Sequence, residues 1–424
     1  MHIKTFLKQA AGVGAANILE RIIALAVGVL LARWLGVEGY GAYAFVMAAV
    51  SLLLIIVRLG LPELVMRDFA AARATKPENR GQSRPLKPAA VLIILTGMIV
   101  YAAVGIGVFF IVEDQNLASA FYVGLLLLPL LSLLDLSSYA LRGLGKAVLS
   151  QYSAVLLASL LALLSIGFLA FYTEASPPLA LGARLVSVFL ALCVTAWLLK
   201  KHIRAHVGAQ PPRFTVLLRK GLPFMMIGSV AVIMSRTDVV MLGLMINPRE
   251  VGLYNASAQA AMLISLILNT TNTIVAPEFA RLFKLNDKAK LQVFAVSTAR
   301  VTMAAAVPLI LLLVVFGPEL LAGLFGEEFA AGGGVLMVLT IGFGSALFWG
   351  ESGFLLNMSG KEHITFRLYT IMAFLNILLN SLLIPLWGAL GAALATVAVL
   401  NIQRAMGWWL AKKYVGVSTS VLCL

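Results

Sequence analysis

The chain has 424 residues, of which 61% are hydrophobic and 12% charged, with a net charge of +14 and a mean hydropathy of +0.99. A soluble protein carries about 25% charged residues and needs polar side chains over its surface, so this composition excludes that class. Most of the surface must face lipid. Because the apolar runs are continuous and do not alternate, they are typical of helices rather than of barrel strands, and the sequence predicts an all-α polytopic membrane protein.

A bilayer core of about 30 Å requires about 20 apolar residues for each helix that crosses it. Such runs recur along the whole chain and predict about 12 transmembrane helices. In chain order these are Gly12–Leu31, Tyr43–Leu61, Ala90–Val112, Ala118–Leu141, Val148–Tyr172, Leu179–Leu199, Leu222–Ile246, Gly252–Ala276, Val293–Phe316, Val335–Leu356, Phe366–Leu386 and Gly388–Ala411.

Lysine and arginine are unevenly shared between the loops. If the N-terminus is cytoplasmic, the outside loops hold only Arg33 and Arg249. Because positive residues favour the cytoplasmic side, this distribution predicts that both termini are cytoplasmic. The net charge then reflects this bias and an attraction to anionic membrane lipids, and does not call for a nucleic-acid partner.

Short motifs recur at nearly constant spacing. The dipeptide "PE" at 62–63 returns at 277–278 and "GK" at 145–146 returns at 360–361, each 215 residues later. "GYGAYAF" follows the first span and "VGLYNAS" the seventh, with the tyrosines 211 residues apart. Matches in the same order at one spacing indicate an internal repeat.

The repeat predicts the domain organisation. Residues 1–205 form an N-terminal six-helix lobe, 206–220 a cytoplasmic linker, and 221–424 a C-terminal six-helix lobe. Six is an even number, so the two copies have the same orientation in the membrane. Parallel repeats of this kind predict a pseudo-two-fold axis along the membrane normal and a central cavity between the lobes.

Charged residues occur inside the predicted spans, where each costs at least about 2.5–3.5 kcal/mol. They are Glu20, Arg21, Arg58, Asp135, Arg184, Arg236, Asp238, Glu351 and Arg404. Four lie deep: Glu20 and Arg21 in the first span, and Arg236 and Asp238 in the seventh. The first and seventh spans are equivalent in the two repeats.

Residues two apart on a helix point to different sides, so Arg236 and Asp238 are predicted to face different surroundings. For the deep acids, structural pairing and cavity lining remain equally open. For Arg21 and Arg236 we favour the cavity, where an anionic substrate supplies the partner. Asp135 and Glu351 lie near the inner ends of the fourth and tenth spans, at almost equivalent positions.

Other motifs carry little chemistry. "RGLGKA" lacks the first glycine and the Ser or Thr of a phosphate loop. Cys193 and Cys423 fit no metal pattern, and His202 and His206 have no third ligand nearby. We therefore predict no catalytic residue, no metal site and no cofactor.

The segment "LARWLGVEGYGAYAFVMAAVSLLLIIVRLGLPELVMRDFA" resembles the first segment of the Wzx-type polysaccharide-unit flippases, and "SRTDVVMLGLMINPREVGLYNASAQ" is similar to their seventh-to-eighth span signature. That superfamily also contains the multidrug and toxin extruders and the lipid II flippases. The resemblance covers nearly the whole chain, but it does not identify the sugar.

The resemblance implies a flippase of the bacterial cytoplasmic (inner) membrane. Its cargo would be an undecaprenyl-pyrophosphate-linked oligosaccharide, the repeat unit of an O-antigen, capsule or exopolysaccharide, moved to the outer leaflet by alternating access. Arg21 and Arg58 match the placement of cavity arginines in lipid II flippases, whereas Arg236 has no assured counterpart. An H⁺ or Na⁺ gradient would supply the energy. The candidate coupling carboxylates, none of them identified by a motif, are Glu20, Asp135, Asp238 and Glu351. Polysaccharide polymerase machinery is an implied partner.

Three other classes of function rank below the flippase. The runner-up is a cation-coupled multidrug exporter, whose cavity should be acidic and aromatic, whereas the deep charges here are balanced or basic. A membrane enzyme, such as a polymerase or ligase, would need a large outside loop, which the sequence lacks. A scaffold protein would not explain the deep charges.

Overall fold

The computed structural model describes the backbone of residues 3–74, 85–203, 212–285 and 287–421, and the side chains of these ranges except 3–11, 73–74, 265–274 and 276–277. All regular structure in this part of the chain is helical, which confirms the predicted class. The helices are α1 Ile3–Arg58, α2 Leu61–Ala74, α3 Leu86–Ile111, α4 Gln115–Leu125, α5 Leu127–Gly143, α6 Ala147–Ser150, α7 Leu157–Tyr172, α8 Pro177–His202, α9 Phe214–Met245, α10 Pro248–Lys284, α11 Lys288–Val315, α12 Gly317–Phe325, α13 Gly333–Leu347, α14 Ser352–Met358 and α15 Glu362–Tyr414. A π-helical turn, Gln151–Leu156, joins α6 to α7, and a 3₁₀-helix, Glu327–Gly332, precedes α13.

Nine helices in the described part of the chain are long and apolar enough to cross a membrane. Two of them, α1 and α15, have 56 and 53 residues, far more than one crossing needs. Each is interrupted by a glycine with positive φ, Gly36 at 67° and Gly388 at 55°, and therefore contains two crossings. The eighth predicted span lies in α10, so the twelve predicted spans are all accounted for.

The first two spans are joined more tightly than the sequence predicts. The predicted loop between Leu31 and Tyr43 is helical on both sides of Gly36. The helix restarts at Val37, whose backbone N–H donates a hydrogen bond of 3.3 Å to the Glu328 carboxylate. A carboxylate is favourable there because the first N–H groups of a helix lack intrahelical acceptors.

The break in α15 has the same design. After Gly388, the backbone N–H of Ala389 donates to the Glu250 carboxylate at 2.8 Å. A single glycine and a distant acidic side chain thus replace a loop at both places. Hydropathy alone does not reveal such a connection, because neither partner changes the apolar pattern of the spans.

Packing divides the chain into two units. Unit 1 comprises Met1–Leu35 and Val46–Val232, and unit 2 comprises Gly36–Phe45 and Ile233–Leu424. Within unit 1, α5 packs against α2, α3 and α8, and α8 also contacts α4 and α7. Within unit 2, α15 packs against α13 and α14, while α10 contacts α11 and α13.

The short segment Gly36–Phe45 packs within unit 2. The buried Tyr40 hydroxyl accepts hydrogen bonds from the amides of Asn255 at 2.7 Å and Gln259 at 2.5 Å. Gly41 lies so close to the carbonyl oxygen of Pro248 that a Cβ would overlap it. Small residues allow helices in a membrane to approach closely, and this contact uses that property.

Part of the predicted linker, 206–220, lies outside the described residues, and its last residues, 214–220, form the first turns of α9. The division into lobes at that linker stays a prediction. The internal repeat does have a local structural counterpart. The "GK" turns after α5 and α14 have glycine φ values of 78° and 71° at Gly145 and Gly360. In both turns the lysine N–H donates to the carbonyl five residues earlier at 2.9 Å.

Candidate functional site

The first span carries two of the predicted site residues side by side. Glu20 is half-buried, and its Oε1 accepts a hydrogen bond of 3.4 Å from the Ser159 hydroxyl on α7. Arg21 is exposed and makes no hydrogen bond or ion pair with any described residue. It lies near the middle of the first span, so its charge lacks a partner among the described residues at a depth where a partner is needed.

One turn before Arg21, helix α1 is hydrogen-bonded to the π-helical turn, which also belongs to unit 1. Asn17, four residues before Arg21, accepts a hydrogen bond of 2.6 Å from Gln151 in the π-helical turn. Gln151 in turn accepts from Arg142 on α5 at 3.2 Å, and Arg142 also donates to Ser150 at 3.3 Å. A π-turn is rare and often marks a functional position, and here it aims the buried Gln151 at α1.

Two predicted site residues of opposite charge bind each other. Arg58, at the end of α1, forms an ion pair with Asp135 on α5, and both side chains are about one-third exposed (33% and 29%). The Nε of Arg58 is buried and has no hydrogen-bond partner among the described residues. Sequence reasoning assigned Arg58 to the substrate and Asp135 to an ion, and those roles stay predictions. Of the two alternatives for the acids, structural pairing and cavity lining, this contact is a structural pairing.

A double-mutant cycle tests this pair. We expect Arg58→Ala and Asp135→Ala each to lower the thermal stability of the purified protein, because each leaves one charge without its partner. The double variant should lose less than the sum, with a coupling energy of about 1 kcal/mol, since both side chains are partly exposed. Scanning fluorimetry in detergent measures the three stabilities.

The matched control is the adjacent exposed pair Arg67 and Asp68, whose side chains are 51% and 36% exposed. A cycle on these two residues should give additive effects. Additive losses for Arg58 and Asp135 as well would contradict a structural pair and would free Arg58 for a ligand.

In the seventh span, Asp238 is buried (5% exposed) between three helices of unit 2. Its carboxylate accepts hydrogen bonds from the Tyr254 hydroxyl on α10 and, at 3.3 Å, from the Thr396 hydroxyl on α15. Arg236 is exposed and makes no hydrogen bond or ion pair with a described residue. The two residues therefore have different surroundings, as their spacing predicts.

Helix α15 carries further buried oxygen atoms in unit 2. A cluster of apolar side chains joins Met234, Met372 and Val399. Asp238 and Asn376 each lie four residues after a methionine of this cluster, Met234 or Met372. Thr396 lies three residues before Val399 of the same cluster. The side-chain oxygens of Asn376 and Asn380 are buried and lack a hydrogen-bond partner among the described residues. Sequence reasoning missed these two asparagines.

The last predicted carboxylate also has a basic partner. Glu351 is 7% exposed and pairs with Arg404 of α15 at 3.3 Å, at the break between α13 and α14. Arg404 also donates to the carbonyl of Gly350 at 3.4 Å. Among the seven predicted site residues, Arg21 and Arg236 are thus the two that make no hydrogen bond or ion pair with the described part of the chain.

Solved structures show which fold this is. The chain superposes on a lipid II flippase MurJ in an inward closed conformation with a TM-score of 0.75, at 15% identity, covering 94% of this chain and 87% of that one. An inward-facing multidrug resistance MATE family transporter of the MOP superfamily gives a TM-score of 0.74, at 13% identity, covering 96% and 98%. Identities this low show the fold alone.

Relatives in sequence agree on one process. A putative O-antigen transporter of Shigella dysenteriae is 24% identical over 372 residues, covering 86% of this chain and 89% of the relative. The capsular polysaccharide biosynthesis protein CapF of Staphylococcus aureus is 21% identical over 209 residues, and the match spans about half of that protein (53%). The profile of the family described as polysaccharide biosynthesis protein matches residues 6–283 of this chain. The chain therefore belongs to the polysaccharide biosynthesis protein family, and it has the fold of the MOP superfamily transporters.

Proposed function

We propose that this protein flips a polyprenyl-diphosphate-linked oligosaccharide from the inner to the outer leaflet of a bacterial cytoplasmic membrane. Membership of its family makes it a membrane transporter of polysaccharide biosynthesis. The finer proposal concerns the cargo, which we take to be the undecaprenyl-linked repeat unit of an O-antigen, capsule or exopolysaccharide. The protein acts by alternating access, with both termini in the cytoplasm, and is not an enzyme.

One observation supports an anionic cargo most directly. Arg21 and Arg236 lie near the middle of the first and seventh spans, both are exposed, and neither has a hydrogen-bond or ion-pair partner among the described residues. An arginine at that depth is costly unless water or a counter-charge reaches it. Its planar guanidinium donates to two oxygens of a phosphate at once, which suits a diphosphate.

The runner-up, a cation-coupled multidrug exporter, has the likeness to the MATE transporter in its favour. Two arginines without a partner among the described residues would repel a cationic drug, whereas they attract a diphosphate. The observation that supports the flippase is therefore the one that disfavours the exporter.

We infer further that an inward H⁺ or Na⁺ gradient drives the cycle through Asp238. The other candidate carboxylates have different partners. Glu20 accepts a hydrogen bond from a serine, while Asp135 and Glu351 form ion pairs with arginines. Asp238 has two hydroxyl partners, one of them on α15, and the same helix carries Asn376 and Asn380, whose buried side-chain oxygens have no hydrogen-bond partner among the described residues. Carboxylate, hydroxyl and amide oxygens are hard ligands that suit a small cation or a proton.

The proposal is tested with the purified protein in liposomes. We expect a fluorescent polyprenyl-diphosphate oligosaccharide in one leaflet to become accessible to a membrane-impermeant quencher in the other, faster with the protein than without it. A phosphatidylcholine bearing the same fluorophore should not move faster, which controls for leakage and scrambling. Transport of a cationic dye without flipping of the glycolipid would overturn the proposal in favour of the exporter.

A further inference from the structure

The last helices of the two repeats end on the same pattern of residues. Helix α8 ends with "WLLKK", in which Trp197 precedes Lys200 and Lys201 by three and four positions. Helix α15 ends with "WLAKK", in which Trp409 precedes Lys412 and Lys413 by the same distances. The tryptophans are 212 residues apart, close to the spacing of the other repeated motifs.

The structure places the second lysine of each pattern over the tryptophan four residues earlier. The Lys201 ammonium lies 5.7 Å from the centroid of the Trp197 ring. The Lys413 ammonium lies 5.0 Å from the centroid of Trp409 and 5.4 Å from that of Tyr414. These distances are those of a cation–π contact, which holds a long, flexible lysine against the ring four residues earlier.

Both tryptophan rings point away from the protein, with 62% of Trp197 and 51% of Trp409 exposed. On a membrane-spanning helix an exposed ring near the helix end faces lipid at the level of the headgroups. The four lysines are exposed as well, and none of them makes an ion pair with a described carboxylate. Their charges are therefore available to a ligand at the membrane surface.

We propose that Trp197, Lys200 and Lys201 form one clamp for an anionic phospholipid headgroup, and that Trp409, Lys412 and Lys413 form a second. In each clamp the tryptophan ring holds the second lysine, and the first lysine supplies the other ammonium for the phosphate. In the second clamp Lys412 also lies 5.8 Å from the centroid of Trp408, where the first clamp has Ala196. A phospholipid with a net negative charge fits this site, whereas the ammonium of a zwitterionic lipid would be repelled. The proposal is independent of the cargo and of the coupling ion.

The test uses the full chain in detergent and counts bound lipid by native mass spectrometry during titration with phosphatidylglycerol. We expect wild type to retain two tightly bound phosphatidylglycerol molecules. Lys200→Gln with Lys201→Gln should weaken one of them, and Lys412→Gln with Lys413→Gln the other. A lysine near the surface contributes about 1 kcal/mol, so each substitution should weaken that lipid about fivefold.

The matched control is Lys284→Gln with Lys288→Gln, because these exposed lysines lie over no described aromatic ring and, like the clamp lysines, make no ion pair with a described carboxylate. The control should bind phosphatidylglycerol like wild type, and wild type should bind phosphatidylcholine more weakly. Equal losses in clamp and control variants would show that general surface charge is enough and would overturn the clamps. Unchanged binding by both clamp variants would overturn them too.

A second pair of variants tests the rings while leaving the lysines in place. Trp197→Leu and Trp409→Leu keep an apolar side chain in the lipid and remove the surface that orients the lysine. Each should also weaken one bound phosphatidylglycerol. All of these side chains are on the surface, so a single symmetric peak in size-exclusion chromatography is expected for every variant and rules out misfolding as the cause.

Discussion

Arg21→Ala and Arg236→Ala are each expected to lower export of surface polysaccharide about ten- to hundredfold at matched protein level. If the arginines bind the cargo as proposed, each change removes a charge-assisted hydrogen bond to its diphosphate, worth about 1.5–3 kcal/mol. Neither arginine has a hydrogen-bond or ion-pair partner among the described residues that its removal would leave unpaired, so folding should be little affected.

The measurement is complementation of a strain that lacks the gene, with surface polysaccharide quantified for each variant. Arg→Lys keeps the positive charge but loses the planar fork, so wild type should exceed Lys, and Lys should exceed Ala, at both positions. Full export by both Ala variants would show that the two arginines do not bind the cargo.

Arg184 provides a control of the same residue type. It lies in α8, seven residues after the first residue of that helix, and makes no hydrogen bond or ion pair with a described residue. A long side chain at that distance from a helix end reaches the interface and its water. Arg184→Ala should therefore export like wild type, and an equal loss there would mean that any intramembrane arginine is needed for assembly.

The sequence predicted the membrane-spanning helices well because their signal is local. Helix α3, Leu86–Ile111, and helix α8, Pro177–His202, lie within a few residues of the predicted spans. Each such helix needs only about 20 apolar residues in a row, which hydropathy detects directly. The internal repeat also has a local signal, because "GK" marks a turn whose glycine has a positive φ in both copies.

The partners of the buried charges could not be predicted in this way. Asp238 meets Thr396, which is 158 residues away, and the Asn17–Gln151 contact spans 134 residues. Threonine, asparagine and glutamine barely change the hydropathy of a span, so they left no signal in a single sequence. Only the packing of helices brings them together. Tyr254 was visible as part of "VGLYNAS", but its hydrogen bond to Asp238 was not.

That packing makes Asp238 the most informative residue in unit 2. Asp238→Asn is expected to abolish the acceleration of glycolipid flipping by an inward ion gradient, at least about a tenfold loss. The amide keeps an oxygen that accepts from Tyr254 and Thr396, so these two hydrogen bonds survive, whereas the negative charge and the bond from the Val239 N–H are lost. A neutral amide neither takes up a proton nor balances the charge of Na⁺, so the ion has no reason to bind.

Tyr254→Phe is the companion variant, because it removes one hydrogen bond to Asp238 and leaves the carboxylate. It should weaken the apparent affinity for the ion about ten- to hundredfold, which corresponds to the roughly 1.5–3 kcal/mol of a hydrogen bond to a charged group, and keep the maximal rate. Flipping in liposomes with a Na⁺ gradient at constant pH, and with a pH gradient in the absence of Na⁺, measures both effects and identifies the ion. If Asp238→Asn still responds to the gradient, coupling lies with Glu20, Asp135 or Glu351, and the hydrogen bonds of Asp238 serve only the packing of unit 2.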